Sequence, residues 1–293
     1  MSSSSPISDA SICAGKLNRV KNVFLVMSGK GGVGKSMVSF SIAKHLSQVE
    51  KHSVCLLDVD LNGPSLASMI RNFSGKDIID EFPEQNHKDK ISEKEIKPFK
   101  INSYLDALSI GFMIDKCQSV MLRGPAKTRL VEKFLDTCML NDYDYLIIDT
   151  PPGTSDEHIA IVEHLKFYNP DGAILVTTPH ALSVQDVQRE VKFCRSSRLP
   201  ITGIVENMSY FVCPCCSEKT HLFGSNGGKA ISEKYKIPLL ARIPLLSNSE
   251  SSQETSRDHK SNTSSESSTK RLSAKQIFEE QISNICSSLV RET

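Results

Sequence analysis

Eight consecutive residues, Gly29, Lys30, Gly31, Gly32, Val33, Gly34, Lys35 and Ser36, match the pattern G-x-x-x-x-G-K-[ST]. Glycines let successive backbone N–H groups turn inward around phosphate oxygens. A lysine in the seventh position can reach the β and γ phosphates, and the hydroxyl after it can bind Mg²⁺. The pattern therefore points to a nucleoside triphosphate held by residues 29–36. Acids that could serve the metal and the attacking water follow apolar runs. Asp58 and Asp60 lie in Leu-Leu-Asp-Val-Asp-Leu-Asn-Gly-Pro-Ser, and Asp149 lies in Ile-Ile-Asp-Thr-Pro-Pro-Gly. Phosphoryl transfer is mainly positioning and charge neutralisation, which carboxylates beside a phosphate loop supply. Asp149 is expected in the Mg²⁺ shell through water, Asp58 in support of the metal, and Asp60 orienting the water. Capping or turn formation is the plain alternative for each. Gly153, after two prolines, has the position of a glycine that senses the γ phosphate. No Asn-Lys-x-Asp guanine-reading motif occurs, so ATP is expected over GTP. Asn207 is a candidate adenine reader, or an ordinary loop Asn.

A second kind of chemistry is offered by Cys213-Pro214-Cys215-Cys216. Cys213 and Cys216 form C-x-x-C, a spacing that brings two thiolates to one site. By itself the pair could be a redox dithiol, half of a zinc site or an exposed coincidence. Two thiolates do not complete a tetrahedral zinc site or a four-cysteine cluster. The missing ligands would come from Cys215, His221 or a second chain, and a dimer would supply four thiolates from two copies of the pair. Cys138, Cys194 and Cys286 fall on helical apolar stripes, Cys55 lies in a strand pattern, and Cys13 and Cys117 lie in expected loops. All six read as packing or unremarkable thiols.

These groups need a scaffold that brings strand ends together. Residues 23–27 are a continuous apolar run that leads into the glycine loop. Val38, Ile42, Leu46 and Val49 then repeat at helical spacing, and 54–57 is a second buried strand. Such β–loop–α–β units predict a parallel sheet with helices on both faces. Further strands are expected at 108–110, 145–149, 173–176, 201–205 and 239–243. Helical stripes run through Leu130 to Met139, Val184 to Cys194, and 228–236. The fold class is α/β, doubly wound, with a mostly parallel sheet. Its carboxyl edge is where ligands bind in such sheets.

The organisation follows from composition. Residues 1–20 are a loose lead, 21–246 the ATPase domain, 71–100 a charged insertion, and 212–221 the cysteine loop. Residues 247–273 are Ser-rich and form a linker, and 274–290 form a terminal amphipathic helix. With 293 residues, 39% hydrophobic and 24% charged, the chain can bury a core. A net charge of +1 argues against a nucleic-acid-wrapping surface. No apolar run approaches ~18 residues. The nine cysteines, an odd number without an export signal, suggest a reducing compartment. The expected location is the cytoplasm.

Lys30 adds a second, early lysine to the phosphate loop. Gly-Lys-Gly-Gly-Val-Gly-Lys-Ser resembles the deviant Walker A loop of the P-loop NTPase class that contains MinD and the nitrogenase iron protein. In that class the early lysine reaches across a dimer to the partner's nucleotide. Together with Leu-Ser-Ile-Gly-Phe, Leu-Arg-Gly-Pro, Thr-Pro-Pro-Gly-Thr-Ser-Asp-Glu-His and Glu-Asn-Met-Ser-Tyr-Phe-Val-Cys-Pro-x-Cys, the chain resembles the Mrp/nucleotide-binding-protein family of iron–sulfur assembly ATPases. The resemblance covers about residues 20–246. It implies a dimeric scaffold that binds ATP and Mg²⁺, hydrolyses ATP slowly, carries a labile bridging [4Fe–4S] cluster, and passes it to cytosolic and nuclear apo-proteins. Lys30, Lys35 and Asp60 would be the critical groups for hydrolysis.

The longer cytosolic member of the family has an N-terminal four-cysteine cluster. Here only Cys13 precedes the phosphate loop, so the chain resembles the short cytosolic subunit. Its implied partners are a second copy or the longer subunit, and apo iron–sulfur proteins, with neither nucleic acid nor membrane. Cys215 stands where a His is common, and Lys219 where many members have a further Cys. Two other readings are weighed against this one. A MinD-like membrane switch needs a basic amphipathic terminal helix, yet Lys275 is accompanied by Glu279 and Glu280. A zinc or redox dithiol ATPase would use the same thiols without iron.

Overall fold

The computed structural model describes residues 20–61, 66, 69–70, 96–112, 124–138, 140, 142–153, 156–166, 169–246 and 273–290. The expected lead at 1–20 (but for residue 20), most of the 71–100 insertion, nearly all of the 247–273 linker, Cys13, Cys117 and Met139 lie outside these residues.

The first strand, β1 (Asn22–Met27), runs into the glycine loop, and α1 (Lys35–Gln48) leaves it. β2 (Val54–Asp58), β3 (Phe99–Lys100) and β4 (Leu105–Ser109) follow. Next come α2 (Gly124–Thr137), β5 (Tyr145–Asp149) and α3 (Asp156–Leu165). β6 (Gly172–Thr177), α4 (Ala181–Ser196) and β7 (Ile201–Glu206) continue the alternation. A two-stranded ribbon, β8 (Phe211–Val212) and β9 (Lys219–Thr220), precedes α5 (Gly227–Tyr235) and β10 (Leu239–Arg242). The terminal helix is α6 (Ala274–Leu289).

Eight strands form one sheet in the order β10-β7-β6-β1-β5-β2-β4-β3. All neighbours in it are parallel except β3 and β4. Successive side chains of a strand point to opposite faces. Val23, Leu25 and Met27 of β1 accordingly join one core, with Phe134 of α2, Val162 of α3 and Val191 of α4. Phe24 and Val26 join the other, with Val38, Ile42 and Leu46 of α1 and Ile282, Ile285 and Leu289 of α6. Both faces are covered, which is why the central strands read as unbroken apolar runs. α6 is opened by a capping box, in which Ser273 Oγ accepts from the Gln276 N–H and Gln276 Oε1 from the Ser273 N–H. Each of its buried aliphatic side chains contributes about 1.5–3 kcal/mol. That is enough to hold the helix on α1 and β10 rather than in water.

Several boundaries differ from the expectation. The strand expected at 108–110 is β4, Leu105–Ser109, and Ile110 begins a 3-10 turn. Asp106 breaks the apolar run, but its carboxylate accepts from the Tyr143 hydroxyl at 2.7 Å and so sits within the strand. The charged insertion ends in structure: Ile96 bridges to Cys138, and β3 pairs antiparallel with β4. Val49 leaves the helical stripe. It lies past the end of α1 and is 65% exposed.

Candidate functional site

The carboxyl ends of β1, β2, β5 and β7 converge on the loop before α1. Gly34 occupies the left-handed region at φ +85°, and a Cβ there would overlap the Asn207 amide. α1 begins at Lys35 with no side-chain cap and no acid in its first turn. Its N–H groups and positive dipole end are thereby left for an anion. Ser28 Oγ donates to the Lys30 carbonyl at 3.1 Å, which shapes the early part of the loop. The Gly153 N–H donates to the Ser28 carbonyl at 2.8 Å. This bond ties the Thr-Pro-Pro-Gly segment to the phosphate loop.

The strand order puts β5 between β1 and β2, so Asp58 and Asp149 are direct partners across two parallel strands. Both are buried, as are Lys35 and Asp60. Lys35 Nζ donates to Asp149 Oδ1 at 2.5 Å, and Ser39 Oγ donates to the same oxygen at 3.0 Å. Asp58 accepts from the Asp60 N–H at 3.0 Å and from Ser109 Oγ at 2.9 Å. Burial and the neighbouring Asp149 charge raise the Asp58 carboxyl to about 7, against the opposing pull of those bonds and of Lys35. Two carboxylates thus share one lysine, and the site is short of positive charge. A hard divalent cation with oxygen ligands answers that deficit. Ser36, Asp58 and Asp149 are the groups that would hold Mg²⁺, which on binding would neutralise phosphate charge.

Asn207 is fully buried, and its Nδ2 donates to the Val33 carbonyl at 2.8 Å. Its Oδ1 has no hydrogen-bond partner among the described residues. The Asn expected near adenine therefore braces the phosphate loop while keeping one acceptor uncommitted. Sequence reasoning missed Ser39 and Ser109, which orient the two carboxylates. Ser39 could have been found from its place one helical turn after Lys35. Ser109 needed the strand order.

Six positions after Asn207 comes the cysteine pair. Met208 turns the chain at φ +53°, β8 pairs with β9, and Cys213 to Glu218 close the ribbon. The Cys213 N–H donates to the Glu218 carbonyl at 3.0 Å, and the Ser217 N–H to the Cys213 carbonyl at 2.8 Å. Cys215 and Cys216 are exposed and Cys213 is half-buried. Backbone N–H groups of Cys216, then Cys215, face the Cys213 sulfur and lower its pKa below the ordinary thiol value. Such an environment favours the thiolate, the form that binds metal. His221 Nδ1 lies 3.0 Å from the Ser209 carbonyl, and the Lys219 ammonium lies over the Tyr210 ring at 4.7 Å.

A nucleotide cradle at the carboxyl edge of a parallel sheet, with two lysines in its loop, defines a P-loop NTPase. The sequence model of the NUBPL iron-transfer P-loop NTPases, in the ParA group, matches residues 19–282, and the chain belongs to that family. A Dictyostelium discoideum protein named cytosolic Fe-S cluster assembly factor NUBP2 homolog is 47% identical over 232 residues, 78% of this chain and 83% of that protein. The Saccharomyces cerevisiae cytosolic Fe-S cluster assembly factor CFD1 is 42% identical over 237 residues, 79% of this chain and 76% of that protein. Among solved structures, a nucleotide-binding protein from Archaeoglobus fulgidus in complex with ADP aligns with a TM-score of 0.64 at 30% identity. That alignment covers 83% of this chain and 90% of the other. The MinD protein of Pyrococcus horikoshii with Mg-ADP, at 20% identity and TM-score 0.50 over 77% of this chain and 82% of its own, shares the fold.

Proposed function

We propose that this chain is a cytosolic scaffold for iron–sulfur cluster assembly, of the short-subunit type, which binds ATP with Mg²⁺ and hydrolyses it slowly. Its cargo is a [4Fe–4S] cluster bridging two chains through Cys213 and Cys216 of each, handed on to cytosolic and nuclear apo-proteins. The observation that carries the reading is the β8–β9 loop, which presents Cys213 and Cys216 together, with backbone N–H groups favouring the Cys213 thiolate. That loop starts a few residues from Asn207, whose amide touches the phosphate loop. ATP binding is thereby joined to the thiol pair by a short stretch of chain.

In this reading Gly29, Lys30, Gly31, Gly32, Val33, Gly34, Lys35 and Ser36 enclose the phosphates. Lys35 leaves Asp149 for the β and γ phosphates, Asp60 orients water, and Asn207 accepts from the base. The second chain is another copy or the longer homologous subunit. The membrane-switch reading has little support, since the apolar face of α6 is buried against α1 and β10. Among the described residues no helix is long and apolar enough to cross a membrane.

Anaerobic reconstitution with iron and sulfide tests the proposal. The parent should turn brown and oxygen-labile, with about four irons per dimer. Cys213→Ala and Cys216→Ala should lose that absorbance, and Cys215→Ala should keep it. If the two variants load as well as the parent, the assignment fails. Zinc without iron in anaerobically purified protein would favour the dithiol alternative.

A further inference from the structure

α1 is 14 residues long, so about 21 Å separates its phosphate end from its far end. At the far end lies a group of donor side chains that the nucleotide and the thiol loop do not use. His45 stands in the last turn of the helix. The chain then folds back: the Val49 N–H donates to the His45 carbonyl at 2.9 Å, Lys51 turns at φ +60°, and the His52 N–H donates to the Leu46 carbonyl at 3.0 Å. This turn lays Glu50 and His52 over the helix end. Glu50 Oε1 is 3.7 Å from His45 Nε2, and Glu50 Oε2 is 3.5 Å from His52 Nε2. From the other side α6 brings Cys286. Its sulfur, one His45 nitrogen and one Glu50 oxygen all lie within 4.8 Å of one another.

We propose that His45, Glu50 and Cys286 form a three-ligand binding site for a divalent cation of the zinc class, with water as the fourth ligand. Mixed nitrogen, sulfur and carboxylate donors suit zinc or cobalt, whereas Mg²⁺ and Ca²⁺ take oxygen shells. Zinc bonds of about 2.0–2.3 Å in a tetrahedron put ligand atoms roughly 3.3–3.7 Å apart. His45 and Glu50 already stand at that separation, and the sulfur, within 4.8 Å of both, needs at most about 1 Å of side-chain movement. His52 backs Glu50 from outside the donor group; its Nδ1 faces Asp144 Oδ2 at 3.9 Å, and Asp144 is itself fixed by the Ser53 N–H at 2.9 Å and Lys21 Nζ at 2.7 Å. His45, Glu50 and His52 reach water while Cys286 is buried, so an ion enters from the surface and closes on an internal sulfur. The thiol proton passes to solvent as the ion binds. The ion would clamp α6 to the ATPase core, a role separate from the cluster cargo.

The test uses the full chain with Cys213, Cys215 and Cys216 changed to Ser. The loop thiols are then absent, so a failure here leaves the cluster reading untouched. The metal-stripped protein is titrated with Zn²⁺ against a chromophoric chelator, and with Co²⁺ by absorbance. We expect one equivalent of Zn²⁺, a Zn²⁺-dependent rise in Tm, and affinity weakened about tenfold or more in His45→Asn and in Glu50→Gln. The thiolate-to-Co²⁺ band should vanish in Cys286→Ser. If Cys286→Ser does not fold, the two half-exposed variants still decide, provided their metal-free Tm matches the parent. Less than one equivalent of Zn²⁺, or His45→Asn and Glu50→Gln binding as tightly as the parent, overturns the proposal.

Discussion

Gly34 answers two demands at once, and they can be separated by mutation. Its φ of +85° costs a residue with a Cβ about 1–2 kcal/mol. The Asn207 amide fills the space that the Cβ would enter. Gly34→Ala should therefore destabilise the protein by about 2–4 kcal/mol, the left-handed cost plus a steric term of similar size. Nucleotide binding should fall with it, because the Val33 carbonyl that Asn207 holds would move. In an Asn207→Ala background the steric part disappears, and Gly34→Ala there costs only the backbone term. Urea denaturation of the two single variants and the double gives the coupling directly. Strict additivity would mean that Asn207 does not pack on Gly34. The same pair shows what one buried amide does in this fold: it bridges β7 to the phosphate loop, and no side-chain type in the loop itself signals that contact.

At the level of elements, α3 and α4 meet through a buried histidine and glutamate. His158 Nδ1 lies 2.9 Å from the Pro151 carbonyl, and its Nε2 is 3.7 Å from Glu190 Oε2. Neither Glu190 oxygen has a hydrogen-bond partner among the described residues. Burial lowers His158 to about 4, and burial with the Asp186 charge raises Glu190 to about 8. Folded, the pair holds one proton between about 4 and about 8; unfolded, His releases its proton near 6.5 and Glu near 4.5. Above about 6.5 the folded state binds more protons, so stability falls as pH rises toward about 8. Below about 4.5 the unfolded state binds more, so stability also falls as pH drops toward about 4. Glu190→Gln should remove the alkaline loss and widen the acid one, which then begins near 6.5, seen as a urea midpoint that is flat in the alkaline range and falls from about 6.5 toward about 4. An unchanged alkaline slope would mean that Glu190 is ionised in the folded protein. None of this was legible in the sequence, where His158 and Glu190 look like unrelated helix residues. The central strands were legible because both of their faces are covered. The run at 145–149, for example, is buried at every position. β3, β8 and β9 have two residues each, too few for any periodicity. The types of Lys35, Asp58 and Asp149 were legible. Their contacts were not, because they depend on β5 lying between β1 and β2.

For the whole molecule, the single chain is chemically incomplete under the proposed function. It presents the Cys213/Cys216 pair, but a four-cysteine cluster needs two such pairs. Its phosphate loop carries Lys30, which in the resembled class serves the other chain's nucleotide. Both deficits would be met by one two-fold interface, in which each copy gives what it receives. The arrangement makes a sharp prediction for the homodimer. Lys30→Ala and Asp60→Ala should each lose most ATPase activity when assayed alone. In a mixed dimer, the Lys30→Ala chain keeps its own Asp60 and receives an intact lysine from its partner. The other site lacks both groups. Random mixing in equal amounts should therefore restore about one quarter of the parental ATPase rate, since half the dimers are mixed and each has one working site. Had Lys30 served its own nucleotide, every site in the mixture would lack one group, and the rate would stay at that of the single variants. Steady-state phosphate release, measured on the variants alone and after nucleotide-driven exchange, distinguishes the two outcomes without requiring the cluster to be loaded.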